Sequence, residues 1–224
     1  MAQTNLSPNV DEKQVAKIKT VADRLVQYGE TARARLRPHF EAAGVSYPPT
    51  KLVFIGLKQE KSLEIYAANG TNAAKFVRAY PILAASGVAG PKLREGDKQV
   101  PEGIYNIEWL NPNSSYHLSM RIGYPNDFDR KKAASERRTN LGGDIMIHGD
   151  ARSVGCLAMG DPASEDFFVL AADVGIENIT VILAPVDFRQ NKAIPADARL
   201  TDWSNELYAE IRARLKEFNR EAQP

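Results

Sequence analysis

Apolar positions along the chain follow two periods, and the switch between them divides it. Over residues 10–43, Val15, Ile18, Val21, Ala22 and Leu25 keep a spacing of three or four with charged residues between them, which predicts one long helix. Gly44 and the Pro48-Pro49 pair end it. Beyond that point the runs are short and rich in β-branched and aromatic residues. Lys51–Leu57 and Ser62–Ala67, parted by the polar Lys58–Lys61, predict a hairpin, and Phe76–Ala84, Gly103–Trp109, Tyr116–Ile122 and Asp144–His148 predict further strands. Gly, Pro and Asn clusters around Gly87-Val88-Ala89-Gly90-Pro91, Asn111-Pro112-Asn113 and Tyr124-Pro125-Asn126 separate them.

The helical period then returns. Asp161 reads as an N-cap with Pro162 at the first helical position, Phe167, Leu170, Ala171 and Val174 supply an apolar face, and Gly175 stops the helix. Asn178–Ala184 is one more strand. Trp203, Leu207, Ile211, Leu215 and Phe218 form the stripe of a C-terminal helix. Strands grouped in the middle with helices at the ends predict an α+β, mainly-β domain and not alternating βαβ units. The expected division is a helical extension over 1–48, a catalytic-type domain over 49–186 and a second helical extension over 187–224.

Composition narrows the partners. With 224 residues and 43% apolar content the chain is long enough for a packed core. Its 29 Lys+Arg against 28 Asp+Glu exclude a nucleic-acid binder that relies on bulk basicity. One cysteine rules out an intramolecular disulfide and a Cys-rich zinc site. No apolar run reaches the roughly 18 residues of a membrane span; the most apolar, Pro81 to Gly90, is broken by Ser86 and Gly87. Met1 to Asn5 has neither a basic start nor an apolar stretch, which leaves a cytosolic protein or a mature form whose targeting segment has been removed.

The segment from Gly143 to Asp161 carries the candidate chemistry. An apolar strand ends at His148, Gly149 turns the chain, and a loop leads to Ser153-Val154-Gly155-Cys156. A thiol of ordinary pKa, about 8.5, is mostly protonated at neutral pH, and a nearby imidazole or helix N-terminus raises its thiolate fraction. Gly155 leaves room beside the sulfur and lets backbone N–H groups face a developing oxyanion. Each residue also has a structural reading. Cys156 is equally a small residue packed beside Leu157 and Ala158, and His148 a hydrogen-bonded strand end. His117 is either a substrate-side group or an ordinary strand residue. The stretch from Arg121 to Arg138, with six basic and three acidic residues, reads as a basic flap or as a solvated loop. His148, Asp150, Cys156 and His117 can be drawn as metal ligands, but no HExxH pair accompanies them.

The same segment resembles the active-site motif of the L,D-transpeptidase catalytic domain, the YkuD-type fold, in which a His ends a strand and a Ser/Thr-His-Gly-Cys stretch carries the nucleophile. Here the matching residues are Ile147-His148-Gly149 and Ser153-Val154-Gly155-Cys156. Upstream, Pro101-Glu102-Gly103-Ile104-Tyr105 looks like the family's strand entry. Asn111-Pro112, Ser115-Tyr116-His117-Leu118-Ser119 and Tyr124-Pro125-Asn126 with Asp129-Arg130 look like its YafK-like branch, so the likeness covers residues 50–185. Val154 stands where the family motif has a second His, so that role is not carried over and His148 is left as the base.

The resemblance implies a YkuD-type fold and an enzyme with no cofactor or metal. Cys156 would attack the carbonyl of the third, meso-diaminopimelate residue of a peptidoglycan stem and expel the terminal D-Ala. The thioester would pass to an amine, giving a cross-link or an amino-acid exchange. His148 would move the proton, Ser153 would orient the imidazole or merely stabilise a turn, and the Gly155 and Cys156 amides would form the oxyanion hole. Arg152, His117, Gly149, Tyr124 and Arg130 are the substrate-side candidates. The alternatives are a YafK-like amidase or endopeptidase that cuts a diaminopimelate-linked bond, and a non-catalytic wall-binding module. The resemblance further implies a periplasmic or exported, monomeric protein that carbapenems acylate at Cys156. Its signal sequence would be absent, with Ala2-Gln3 the start left behind an added Met1.

Overall fold

The computed structural model describes residues 18–218. Its first helix, α1, spans Val21–Ala43. Thr20 fixes the start: its hydroxyl accepts the Asp23 N–H at 3.1 Å while the Asp23 carboxylate accepts the Thr20 N–H at 2.8 Å. This reciprocal cap satisfies donors that a helix N-terminus leaves open. Gly44, at φ 63°, ends the helix in the left-handed conformation that glycine enters at little cost. The buried face is Gly29, Ala32, Leu36 and Phe40. The stripe drawn through Ile18 and Val21 is therefore corrected, since Ile18 precedes the cap and is 79% exposed. Residues 10–17, Val15 among them, and the Ala2-Gln3 start lie outside the described residues.

Among the described residues eight strands form one mixed sheet: β1 (Lys51–Leu57), β2 (Ser62–Ala68), β3 (Lys75–Pro81), β4 (Gly103–Asn111), β5 (Ser119–Ile122), β6 (Met146–His148), β7 (Leu157–Ala158) and β8 (Ile179–Ala184). Their order is β3-β2-β1-β8-β4-β5-β6-β7, with β1–β8 and β6–β7 parallel. Strand β1 reads as a continuous apolar run because both of its faces are covered. Leu52 and Phe54 join a core with Leu36 of α1 and with Phe167 and Leu170 of the helix α3 (Asp161–Val174). Val53, Ile55 and Leu57 join a second core with Leu207, Tyr208 and Ile211 of the helix α4 (Ser204–Leu215). Helices on both faces of a mostly antiparallel sheet give the α+β class that the sequence predicts.

Strand β4 changes partner along its length. Gly103–Asn106 pair with β8 and Ile107–Asn111 with β5, with a register shift between Ile107 and Trp109. Such a shift bends a strand, and here it leads into the smaller lobe, β5-β6-β7, that carries His148 and Cys156. The free side of β7 is met by the chain leaving β3: Ala158 N–H donates to Ala84 O at 2.9 Å and Leu83 N–H to Ala158 O at 2.9 Å.

Three expectations change. Strand β5 begins at Ser119, because His117 turns the chain at φ 69°. The stretch expected as a flap contains a helix, α2 (Asp127–Ser135), started by an Asn126/Asp129 capping box. Lys132 pairs with Glu206 of α4, and Trp203 Nε1–H donates to Glu136 at 2.6 Å, so the basic stretch is tied down. Asp161 is the first residue of α3, after Gly160, and not its N-cap; its carboxylate accepts the Asp150 N–H at 2.8 Å. Among the described residues, no helix is long and apolar enough to cross a membrane.

Candidate active site

Three pieces of chain meet around Cys156: strand β6, the loop 149–155, and the segment from Ile82 to Val100 that crosses from β3 to β4. His148 is the last residue of β6, paired with Ser119 on one side and Ala158 on the other. Its Nδ1 lies 2.6 Å from Gly149 O. A carbonyl only accepts, so Nδ1 carries the proton and, in the neutral ring, Nε2 presents a lone pair. The Tyr116 ring covers the imidazole, centroid to centroid 4.8 Å at 36°. Burial holds His148 below the ordinary histidine range, against the smaller upward pulls of Gly149 O and Asp150. At neutral pH the imidazole is therefore an unprotonated acceptor.

Cys156 directly precedes β7. The parallel register sets Leu157 beside Ile147 and Ala158 beside His148, so alternation turns the Cys156 and His148 side chains to one face. Its Sγ accepts the Met146 N–H at 3.3 Å and sits 3.5 Å from Asp144 O as a donor. Burial pushes the thiol up and the Asp144 carboxylate adds to this, while the Met146 N–H and Lys92 oppose it. The resting sulfur is thus a thiol, in keeping with a mechanism in which His148 must take its proton. Among the described residues no hydrogen bond joins it to His148; the two share a face, and the thiol is turned to the start of β6.

The expected oxyanion donors have acceptors already. Gly155 N–H donates to Ser86 Oγ at 2.6 Å, and Ser86 Oγ–H donates to Lys98 O at 2.7 Å. Cys156 N–H donates to Ser153 Oγ at 3.0 Å, and that hydroxyl donates back to Cys156 O at 2.6 Å. In this state both amides are taken up, so an oxyanion would have to displace Ser86 and Ser153. Of the two readings of Ser153 the turn is the one seen: it closes the turn before Cys156, and Gly149 O orients the imidazole. Gly149 itself has no room for a side chain, since a Cβ would meet Asp161 Oδ1 at 2.6 Å and Tyr116 O at 2.8 Å.

The other candidates spread out. Tyr124 is corrected to a core residue, 1% exposed, with its hydroxyl facing Lys92 O and Leu141 O at 3.2 and 3.3 Å. His117 Nε2 lies 3.0 Å from Glu165 Oε1 of α3, and the ring packs edge-on to Tyr28 of α1. Arg130, on α2, is exposed and pairs with Asp127 at 3.4 Å. Arg152 is exposed on the site loop, 3.2 Å from Asp150. Ser86, Tyr116 and the Met146 amide were not singled out from sequence. Among the described residues no three His, Cys, Asp or Glu side chains gather as a metal site.

The family model of the L,D-transpeptidase catalytic domain, YkuD, matches residues 50–181, a range that holds every strand up to the first half of β8. The chain belongs to this family. The Escherichia coli K12 protein named "Putative L,D-transpeptidase YafK" is 36% identical over 113 residues, 50% of this chain and 43% of that protein. The crystal structure of the helical cell shape determining protein Pgp2 from Campylobacter jejuni superposes with a TM-score of 0.50 at 22% identity, over 68% of this chain and 52% of that one. Its K307A mutant gives the same score over 76% and 55%. At that identity the likeness to Pgp2 is one of fold. The matched part spans about half the length of each of these relatives. As a YkuD-family domain, this chain keeps His148, Gly149, Ser153, Gly155 and Cys156 inside the matched range.

Proposed function

We propose that the chain is a cysteine L,D-transpeptidase acting on peptidoglycan stem peptides through a thioester at Cys156. The observation that carries this reading is the tautomer of His148: its Nδ1 proton is committed to Gly149 O, which leaves Nε2 as the ring's acceptor on the strand beside Cys156. Because thiol and imidazole are both neutral at rest, activation is general-base catalysis and not ion-pair chemistry. The thiol rotates from Asp144 O toward His148 and gives its proton to Nε2 as sulfur attacks the diaminopimelate carbonyl. The tetrahedral intermediate collapses, the C–N bond to D-Ala breaks, and the His148 proton goes to the leaving amine. An incoming amine then loses its proton to His148 as it forms a new amide and frees the thiol. Water in the same place gives the free acid. Arg152, exposed on the same loop, is the side chain we assign to a stem carboxylate.

Such a substrate places the protein outside the cytoplasm, in the periplasm or beyond. The test is incubation with purified sacculi followed by separation of muropeptides. New cross-linked dimers or exchanged termini support transfer; shortened or released peptides alone replace it with hydrolysis. Cys156→Ala is expected to abolish either activity with an unchanged melting temperature, and residual turnover in that variant would rule the thioester out. A covalent carbapenem adduct at Cys156, read by intact mass, separates the enzyme from a wall-binding module.

A further inference from the structure

The residue before the nucleophile is held from far away in sequence. Gly155, at φ 85°, has an N–H whose acceptor is the hydroxyl of Ser86, 69 positions earlier, at 2.6 Å. The Ser86 hydroxyl is itself fixed, because it donates to Lys98 O at 2.7 Å. Both Ser86 and Lys98 belong to the segment that crosses from β3 to β4, and that segment is braced below by the Val88 N–H on Gln99 at 2.7 Å and by the Gly90 N–H on Glu102 at 2.8 Å. A glycine peptide has an unusually free choice of orientation. The hydroxyl removes that choice at the Val154–Gly155 peptide, one residue before Cys156, whose sulfur lies against the Met146 N–H at 3.3 Å.

We propose that Ser86 is a positioning residue for Cys156, fixing the Gly155 peptide so that the sulfur meets the Met146 amide. This rests on the reading of Cys156 as the nucleophile. The groups that face the sulfur are the Met146 N–H, Lys92, the Asp144 carboxylate with its partner Arg121, and His148 on the same face. None of these is altered by a change at Ser86, so the variant isolates the placement of the sulfur.

The test uses the full chain and the rate of Cys156 alkylation by iodoacetamide as a function of pH. Ser86→Thr and Ser86→Val have nearly the same shape and differ in the hydroxyl, with Ser86→Ala as the smaller control. Without the hydroxyl the sulfur loses its amide donor. Alkylation at pH 7 is expected to slow by about fivefold to tenfold, on the scale of one hydrogen bond, and its midpoint to move to higher pH. Ser86→Thr is expected to follow the wild type. A Ser86→Val profile that overlays that of Ser86→Thr overturns the proposal, as does faster alkylation in Ser86→Ala. Muropeptide turnover is measured in parallel. If Cys156→Ala keeps turnover, the nucleophile reading fails, whereas the alkylation profiles still decide the role of Ser86 in placing the sulfur.

Discussion

At the scale of single residues, the chemistry of the site rests on how a buried imidazole and a half-buried thiol are kept neutral. Tyr116 is 46% exposed yet lies across the face of His148, so it is the part of that shield which solvent reaches first. Removing it by Tyr116→Ala lets water to the imidazole and returns its pKa upward toward the ordinary histidine value, since burial is the main cause of the depression. The base is then protonated at higher pH. The acid limb of the activity profile is expected to move to higher pH in Tyr116→Ala and to stay in place in Tyr116→Phe, measured as D-Ala release between pH 5 and 8. The motif made His148 and Cys156 legible from sequence because strand, glycine turn and thiol lie within one short segment. Ser86 was visible there as the residue breaking an apolar run. Its partner, a backbone N–H 69 residues on, has no side-chain signature, and neither do Gly149 O or the Met146 amide.

Among elements, the strands that the sequence predicts are those whose apolar pattern both faces of the sheet demand, such as Lys51–Leu57, which has the bounds expected. Strand β7 has two residues and no pattern to read; α2 was hidden because a basic stretch masks the Asn126/Asp129 cap. That cap has a thermodynamic signature. Asp129 is buried, which raises its pKa to about 6 against the pulls of the Asn126 amide and Tyr105. Between the ordinary carboxylate value and about 6 the folded state therefore binds more protons than the unfolded state, and this residue makes stability fall as pH rises through that window. Asp129→Asn removes the titration. The stability of the variant relative to the wild type is expected to rise by up to about 3 kcal/mol from pH 4 to pH 7, read by urea unfolding at each pH. A difference that does not change with pH would exclude the linkage.

For the whole molecule, Glu102 is where the pieces join. Its carboxylate takes Lys58 Nζ at 2.9 Å, the Gly90 N–H at 2.8 Å and the Tyr208 hydroxyl at 2.7 Å, and it is 1% exposed. It thus links the β1–β2 hairpin, the segment that carries Ser86, and α4. Glu102→Ala strands a buried ammonium, because burial already pulls Lys58 down and Glu102 is what opposes it. Breaking a buried pair in this way costs about 3–5 kcal/mol. Thermal and urea unfolding are expected to show that loss, together with slower alkylation of Cys156 as the segment above it loosens; a destabilised variant with the wild-type alkylation rate would uncouple the two.

The bridge between Ala84 and Ala158 also bears on how a peptide is gripped. Strand β7 has β6 on one flank and Ala84 on the other, so its main-chain groups have partners inside the fold. On the proposed reading, a stem peptide arriving at Cys156 would find, among the described residues, both flanks of β7 taken and no vacant edge there on which to extend the sheet, the way many peptide-binding domains hold extended ligands. Recognition there must come from side chains and loop amides that read the shape and charge of the ligand. Such a site suits a branched substrate of mixed stereochemistry, which would not sustain a regular ladder.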